Sequence, residues 1–216
     1  MDRFAEPRRR LIEQLRAEGI RDERVLAALA RVPREAFVAT EHADAAYDNG
    51  PLPIGDRQTI SQPFVVALMT EALSLTGVEH VLEVGTGSGY HTAVLAELAS
   101  QVVSVERHPA LHEGARSVLT ALGYGNVELH VGDGTLGWPA PAPYDRILVA
   151  AAGPDVPAAL LDQLAVGGRL VIPVGSEGGQ RLLLLARTER GVERHDLGPV
   201  RFVPLVGADG WQSAPE

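Results

Sequence analysis

The sequence predicts an α/β protein with a doubly wound, mostly parallel sheet of seven strands, preceded by a helical cap. Three observations support this fold class. Short buried strands alternate with helices from about residue 79 onward, and this alternation is typical of a parallel sheet with helices on both faces. A glycine-rich turn follows the first of these strands. The residues before it have the apolar spacing of helices.

Residues 3–40 are predicted to form two amphipathic helices. Their apolar stripes consist of Leu11, Ile12 and Leu15 in the first helix and of Val25, Leu26 and Leu29 in the second. We expect Gly19 to end the first helix and Pro33 to end the second. Residues 45–60 contain turn formers that break any period, so they are predicted to form a loop. A third helix is predicted over residues 63–75, with proline in its first turn.

The remaining chain is predicted to form the sheet. The strands are predicted over residues 81–84, 101–106, 127–131, 144–150, 168–174, 181–187 and 200–205. The helices between them are predicted over residues 92–98, 109–122 and 157–164. In such a Rossmann-like sheet, right-handed crossovers place a ligand crevice at the carboxyl ends of the strands. We therefore predict one domain over residues 1–216, with a helical cap and loop over 1–78 and a Rossmann-like core over 79–216.

The composition argues against several classes of protein. The chain has 216 residues, enough for one sizeable core but short for two ordinary domains. Its net charge of −9 opposes phosphate backbones, so we expect no nucleic-acid partner. It contains no cysteine, which excludes disulfides and thiol nucleophiles. The sequence contains neither a secretory signal pattern nor an apolar run of about 18 residues, so we expect a cytoplasmic protein without a membrane partner. We also expect a monomer.

The turn after the first predicted strand indicates the kind of ligand. It consists of Glu83, Val84, Gly85, Thr86, Gly87, Ser88, Gly89 and Tyr90. Glycines let the backbone turn sharply and approach a ligand closely. A dinucleotide fingerprint needs the spacing G-x-G-x-x-G, whereas Tyr90 stands where its third glycine would be. The spacing found here, G-x-G-x-G, suits a ligand without a pyrophosphate, such as the amino-acid part of S-adenosylmethionine.

Acidic residues stand at the ends of the next two predicted strands. Glu106 lies roughly 20 residues beyond Gly85, where a carboxylate can accept hydrogen bonds from both hydroxyls of a ribose. Asp133, between Gly132 and Gly134, can accept from an adenine amino group, although Asp-Gly alone indicates only a turn. Because the ends of neighbouring parallel strands lie together, we expect the three strand ends to hold methionine, ribose and adenine in order.

Several segments together resemble one known family. Residues 51–55 read Pro-Leu-Pro-Ile-Gly, and residues 58–63 read Gln-Thr-Ile-Ser-Gln-Pro. The other matching segments are residues 132–134, 137–139, 142–145, 167–175 and 200–205. In order along the chain, from about residue 5 to residue 207, these segments resemble the protein-L-isoaspartate (D-aspartate) O-methyltransferases, which are class I methyltransferases dependent on S-adenosylmethionine.

This resemblance implies a reaction and a set of site residues. The family transfers a methyl group from S-adenosylmethionine to the free α-carboxylate of an L-isoaspartyl residue, and the ester then collapses to a succinimide. The family's key serine falls on Ser61, and its substrate contacts fall on Ser61, Val203 and Leu205. Its cofactor contacts fall on Thr59, Ile60, Ser61, Glu83, Gly85, Thr86, Gly87, Ser88, Glu106, Arg107, Asp133 and Gly134. The implied product is S-adenosylhomocysteine, and the implied partners are isoaspartyl-containing proteins and peptides.

The implied chemistry needs little from the protein beyond positioning. A carboxylate with a reference pKa near ~4 is already ionised at neutral pH, so no general base is required. The methyl carbon on the sulfonium is an activated electrophile, which leaves alignment and removal of water to the protein. We therefore expect Ser61 to act as a positioner that donates to one carboxylate oxygen and orients the other, not as a nucleophile.

Three positions depart from the family's usual pattern. Arg57 stands where a second glycine is usual, Asn49 stands where an acid is common, and Phe64 occupies a variable position. We expect the Arg57 side chain to point to solvent, and contact with an acidic substrate is the alternative. None of the three is a predicted site residue.

Other functions stay open at this point. A relative of this family could methylate an aspartate in a peptide natural product, so that an aspartimide forms. A non-catalytic module would bind S-adenosylmethionine but would turn over no carboxylate substrate. An NAD-dependent oxidoreductase is disfavoured by Tyr90. His108 and His112 are four residues apart on a predicted helix, but they lack a third ligand, so we expect no metal.

Overall fold

Helices precede the sheet, as the apolar spacing predicts. The computed structural model describes residues 2–176 and 178–212. Its helices are α1 (Ala5–Ala17), α2 (Glu23–Arg31), α3 (Pro63–Leu73), α4 (Tyr90–Ala96), α5 (Pro109–Ala121) and α6 (Ala158–Asp162). Short 3₁₀ turns occupy Arg34–Phe37, Thr40–Ala45 and Gly134–Leu136.

Local chemistry explains where the first helices begin and end. Gly19 follows α1 with a φ of 114°, a backbone conformation that favours glycine. The Asp22 side chain caps α2 by accepting from the Arg24 N–H at 2.9 Å, which satisfies a donor left free at the helix start. The helix α2 ends at Arg31, shortly before Pro33, and α3 begins with a proline that needs no N–H partner.

The strands form a small hairpin and one large sheet. The hairpin consists of β1 (Leu52–Gly55) and β2 (Gln58–Ile60). The sheet consists of β3 (His80–Val84), β4 (Gln101–Glu106), β5 (Val127–Val131), β6 (Tyr144–Val149), β7 (Leu164–Ser176), β8 (Gly179–Thr188) and β9 (Gly191–Val200). The strand order is β5-β4-β3-β6-β7-β8-β9. The first five strands pair in parallel, whereas β8 pairs antiparallel to both β7 and β9. The predicted fold class is confirmed.

The prediction for the seventh strand was wrong. That strand is Gly191–Val200, which pairs along β8, whereas residues 201–205 follow it in an irregular segment with a single bridge at Pro204. The strand β9 lies at an edge of the sheet and is mostly exposed. Its sequence, Gly-Val-Glu-Arg-His-Asp-Leu-Gly-Pro-Val, is therefore polar and lacks the apolar alternation that identifies a half-buried strand.

The predicted loop over residues 45–60 contains the hairpin. Asp56 and Arg57 connect β1 to β2 with φ angles of 48° and 58°. Positive φ at both central residues is the geometry of a tight hairpin turn whose twist matches that of the flanking strands. The sequence did not predict this short hairpin, because its strands contain or adjoin turn-forming residues, namely prolines at 51 and 53 and a glycine at 55.

Hydrophobic clusters cover both faces of the sheet. Alternate strand residues face opposite sides, so Val81 and Val102 belong to one cluster and Leu82 and Val103 to the other. The first cluster also includes apolar residues of α1, α2 and α3. The division into a cap over residues 1–78 and a core over 79–216 stays a prediction. Among the described helices, none has the length and apolar character needed to cross a membrane.

The strand order places a crevice beside β3. From β3 the chain passes to β4 and β5 on one side, and it then returns to β6 on the other side. Such a reversal leaves an opening at the carboxyl ends of the two strands where it occurs. Backbone hydrogen bonds extend the sheet to this point, from Gly85 N to Val105 O and from Ala150 N to Val84 O, both at 2.8 Å.

Candidate active site

A cavity of about 420 Å³ lies at the carboxyl ends of β3, β4 and β6. Its volume is typical of small-molecule sites, which measure roughly 300–1,000 Å³. The predicted site residues that line it are Thr59, Ile60, Ser61, Gly85, Thr86, Gly87, Ser88, Glu106, Arg107, Gly134, Val203 and Leu205. The predicted residues Glu83 and Asp133 do not line it. The structure thus brings together residues from the hairpin, three strand ends and the C-terminal segment.

The glycine turn has a backbone that other residues would strain. Gly85, Gly87 and Gly89 have φ angles of 94°, 56° and 88°. A Cβ atom at Gly87 would lie 3.3 Å from Ile54 Cδ1, and one at Gly89 would lie 3.1 Å from Ala115 Cβ. The turn is therefore packed between the hairpin and α5, with its backbone along the cavity wall. This cradle fits the amino-acid part of S-adenosylmethionine, because glycines carry no Cβ and let a ligand approach the backbone closely.

Glu106 is held at the end of β4 by backbone donors. Its Oε2 accepts from Gly87 N and its Oε1 accepts from His108 N, each at 2.9 Å. The residue is 4% exposed, yet it lines the cavity. A carboxylate has about four lone-pair sites, so both oxygens can accept further hydrogen bonds. The Glu106 carboxylate therefore has lone pairs left for both ribose hydroxyls. The ribose contact itself stays a prediction.

Glu83 lies behind the cavity wall and acts on the turn through other side chains. It is completely buried, and its Oε2 accepts from Thr92 Oγ1 at 2.5 Å and from Ser104 Oγ at 2.6 Å. While Glu83 is ionised, the one hydroxyl hydrogen of Ser104 is used in this way, so Thr86 Oγ1 then donates to Ser104 Oγ, at 2.6 Å. This chain orients Thr86 within the glycine turn. Direct contact of Glu83 with the cofactor stays a prediction.

Burial changes the ionisation of Glu83. Desolvation raises the pKa of its carboxyl group to about 7, although the Ser104 and Thr92 hydroxyls oppose the change, and the charge of Glu106 adds to it. The unfolded chain has the ordinary value of 4.5. The folded state therefore binds this proton more tightly than the unfolded chain does. The contribution of the proton to the free energy of unfolding is fully present below pH 4.5 and is lost as the pH rises through about 7.

We expect Glu83→Gln to make the free energy of unfolding less dependent on pH. Between about pH 5 and pH 8 the free energy of unfolding of the wild type should fall by about 2 to 3 kcal/mol relative to that of the variant, because glutamine has no charge to bury. Urea unfolding of both proteins across this range measures the difference. Glu189→Gln, in the exposed turn after β8, is the matched control, and a pH-independent difference for Glu83→Gln would contradict the assignment.

Asp133 is engaged with the C-terminal segment. Its Oδ1 accepts from the backbone N–H and the hydroxyl of Thr135, at 2.9 and 2.6 Å, and its Oδ2 accepts from Ala208 N at 2.7 Å. Burial opposes ionisation, but these hydrogen bonds hold the pKa of Asp133 below its ordinary value. Asp133 thus fastens the end of β5 to residues 207–210, and its predicted adenine contact stays a prediction.

Ser61 follows β2 and lines the cavity beside the hairpin. Its carbonyl oxygen accepts from Arg34 Nη2 at 2.8 Å. Within residues 2–176 and 178–212, no side chain or backbone group is hydrogen-bonded to its hydroxyl. The backbone of Ser61 is therefore fixed, while its Oγ is available to donate into the cavity.

Asn49 has a structural role that an acid could not fill. Its Oδ1 accepts from Phe64 N at 3.0 Å, in the first turn of α3. Its Nδ2 donates to both carboxylate oxygens of Glu18, at 2.9 and 3.2 Å. An aspartate could accept from Phe64 but would repel Glu18. The departure from the family's usual acid therefore follows from a neighbouring carboxylate.

The C-terminal segment is fastened to the end of β6. Val203 O accepts from Ala152 N, and Leu205 N donates to Ala152 O, both at 2.8 Å. Trp211 Nε1 also donates to Ala152 O, at 2.9 Å. These contacts hold Val203 and Leu205 against the cavity, where the sequence analysis expects the substrate backbone to bind.

His91 and His108 also line the cavity; the sequence did not single out His91, and it brought up His108 only as a metal ligand that lacked partners. Burial lowers the pKa of His91 to about 3, so its ring is neutral at physiological pH, and its Nε2 lies 2.9 Å from Thr70 Oγ1. The position of His91 in the first helical turn after the glycines is the feature of the sequence that could have identified it.

Arg57 is exposed but also lines the cavity, so both interpretations of its side chain, contact with solvent or with an acidic substrate, stay open. Among the described residues, no cluster of three or more potential ligands is placed to hold a metal.

The fold and the site define a class of protein. A doubly wound sheet with a G-x-G-x-G turn and a strand-end acid at one cavity is the arrangement of class I methyltransferases dependent on S-adenosylmethionine. The chain belongs to the Protein-L-isoaspartate(D-aspartate) O-methyltransferase family, whose sequence model matches residues 6–210. It is therefore a methyltransferase, as the sequence analysis predicts.

Two curated relatives agree with this assignment over nearly their whole lengths. A protein-L-isoaspartate O-methyltransferase of Syntrophus aciditrophicus is 52% identical, covering 98% of this chain and 99% of the relative. Protein-L-isoaspartate O-methyltransferase 1 of Syntrophobacter fumaroxidans is 54% identical, covering 98% of this chain and 100% of the relative.

Two solved structures share the fold. A protein-L-isoaspartate O-methyltransferase superposes with a TM-score of 0.86 at 30% identity, covering 94% of this chain and 67% of that one. A structure described as a putative protein-L-isoaspartate O-methyltransferase from Plasmodium falciparum, in complex with S-adenosyl-L-homocysteine, has a TM-score of 0.80 at 24% identity. It covers 92% of this chain and 98% of that one.

Proposed function

We propose that this chain starts the repair of damaged proteins by methylating the free α-carboxylate of L-isoaspartyl residues, with S-adenosylmethionine as the methyl donor. Membership of the family carries the assignment of the reaction. The structural observation that carries it is the position of Ser61: its hydroxyl, which has no hydrogen bond to another described residue, shares one cavity with the glycine turn and Glu106. A methyl donor and a carboxylate acceptor can therefore be bound side by side.

The donor side of the cavity is assigned to the strand ends. When bound, S-adenosylmethionine supplies a methyl carbon on a positively charged sulfur, which is an activated electrophile. We assign the amino-acid part of the cofactor to the turn from Gly85 to Ser88, and the ribose hydroxyls to Glu106. The adenine is assigned to Asp133 and Gly134. These residues bind and orient, and none of them has to transfer a proton.

The acceptor side is assigned to the hairpin and the C-terminal segment. Ser61 donates to one oxygen of the substrate carboxylate, and the segment at Val203 and Leu205 holds the peptide backbone. Val84, Val105 and other apolar residues line the same cavity, so binding removes water from the carboxylate. Because the carboxylate is ionised at neutral pH, the chain has only to align it.

Charged groups of both signs line the cavity. They are Arg57, Arg107, Asp56 and Glu106, so formal charge at the lining does not by itself select an anionic substrate. The proposed partners are isoaspartyl-containing proteins and peptides. A monomeric state and a cytoplasmic location stay predictions.

We expect the purified protein to turn over many times with isoaspartyl peptides of unrelated sequence. Incubation with methyl-labelled S-adenosylmethionine, followed by release of methanol in alkali, measures the methyl ester formed. Several peptides should be methylated with similar efficiency. Turnover of none would indicate a non-catalytic binding module, and turnover of a single sequence would indicate a dedicated peptide-modifying enzyme.

A further inference from the structure

A buried arginine lies behind the wall that carries Ser61. Arg34 opens the 3₁₀ turn after α2 and is completely buried. Its Nε donates to Ala46 O and its Nη2 donates to Ser61 O, both at 2.8 Å, and Nη2 also has a longer contact of 3.5 Å with Gly50 O. The guanidinium thus ties the segment before the hairpin to the segment after it.

The charge of Arg34 has no anionic partner in the described part of the chain. All hydrogen bonds of its guanidinium go to backbone carbonyls, and Nη1 has no partner there. The Tyr90 ring also lies against the guanidinium, with its centroid 4.7 Å from Cζ. A buried cation is costly unless it is paired, and carbonyl dipoles and an aromatic face offset only part of that cost.

Arg34 is close to the cavity but does not line it. Ser61, which accepts from its Nη2, and Tyr90, which lies under its guanidinium, both line the cavity. An anion bound at the Ser61 hydroxyl would therefore lie near a positive charge that water does not screen. Electrostatic attraction is much stronger in such a buried setting than at a surface.

We propose that Arg34 is the positioning residue that makes this site selective for a carboxylate: it fixes the backbone of Ser61, and its buried charge, which has no anionic partner among the described residues, favours an anionic substrate there. This inference rests on the proposed function, since the anion it invokes is the α-carboxylate of an isoaspartyl residue. Arg34 does not touch the substrate and acts through Ser61.

The test compares two forms of one peptide, an isoaspartyl peptide and its neutral α-carboxamide analogue. Calorimetry measures the binding of each to the complex of the protein with S-adenosylhomocysteine. The wild type should prefer the carboxylate, and Arg34→Met should lower that preference about 10-fold or more, while its affinity for the carboxamide changes less than about threefold. The kcat of methyl transfer should also fall, because Ser61 is no longer held.

Arg34→Lys keeps the charge but loses the planar arrangement of donors. It should retain most of the carboxylate preference while kcat still falls. Arg187→Met is the matched control, since Arg187 Nη1 donates to the carbonyls of Leu161 and Leu164, at 2.8 and 2.6 Å, away from the cavity. That variant should lose stability and keep both the preference and kcat.

Equal weakening of both peptides in Arg34→Met and Arg34→Lys would overturn the inference, because a purely structural role predicts that pattern. Unaltered kcat and preference in both variants would also overturn it. Methyl transfer by the wild type is measured first. Its absence would contradict the proposed function, whereas its presence with either of these variant results would contradict only the role of Arg34.

Discussion

Replacing Ser61 with alanine is expected to lower kcat for methyl transfer about 100-fold, the usual effect of removing one positioned donor. The hydroxyl is not bonded to another described residue, so its removal should leave the surrounding structure intact. Without it, the substrate carboxylate loses a hydrogen bond and its fixed orientation. The dissociation constant of S-adenosylhomocysteine should change less than about threefold, since the glycine turn and Glu106 are unaltered.

Steady-state kinetics with an isoaspartyl peptide, together with calorimetry of S-adenosylhomocysteine, measure the two effects of the Ser61 change. Ser61→Thr keeps a hydroxyl and should recover part of the lost rate. Ser117→Ala, on the exposed face of α5, is the matched control and should behave as the wild type. An unchanged kcat in Ser61→Ala would remove this serine from the mechanism.

Replacing Glu106 with glutamine should weaken binding of S-adenosylhomocysteine about 100-fold, or ~2.7 kcal/mol. Each carboxylate oxygen already accepts from a backbone N–H, of Gly87 or of His108. The glutamine side chain has only one acceptor oxygen, so its amide nitrogen would face one of these donors. The variant therefore loses charge-assisted hydrogen bonds to the ligand and disturbs the glycine turn.

Calorimetric titration with S-adenosylhomocysteine measures the Glu106 effect directly. Glu97→Gln is the matched control, because Glu97 is a half-buried acid that contacts Arg31 and Tyr124 away from the cavity. It should bind as the wild type does. An affinity of Glu106→Gln within about threefold of the wild type would contradict the ribose role.

Much of the fold follows from local pattern, because buried parallel strands are short apolar runs between helices. The segments that became β3, β4 and β6 were found in this way. The edge strand β9 was missed because it is exposed and polar, and the hairpin was missed because its residues are also turn formers. In both cases pairing with a neighbouring strand, and not local sequence, determines the conformation.

The site was predictable where a residue type has a chemical reason to be at a strand end, as with Gly85 and Glu106. The roles assigned to Ser61, Val203 and Leu205 depended on resemblance, because nothing local distinguishes them. Arg34 could not be predicted, since arginine is almost always exposed unless paired. Only the folded chain shows that this arginine is buried behind Ser61.

The central claim is that this chain methylates the carboxylate of isoaspartyl residues. Its most direct test is methyl transfer from labelled S-adenosylmethionine to paired peptides that differ only in containing isoaspartate or aspartate at one position. We predict that kcat/KM for the isoaspartyl peptide is at least about 100-fold higher. Equal methylation of the two peptides, or methylation of the aspartyl peptide alone, would contradict the account.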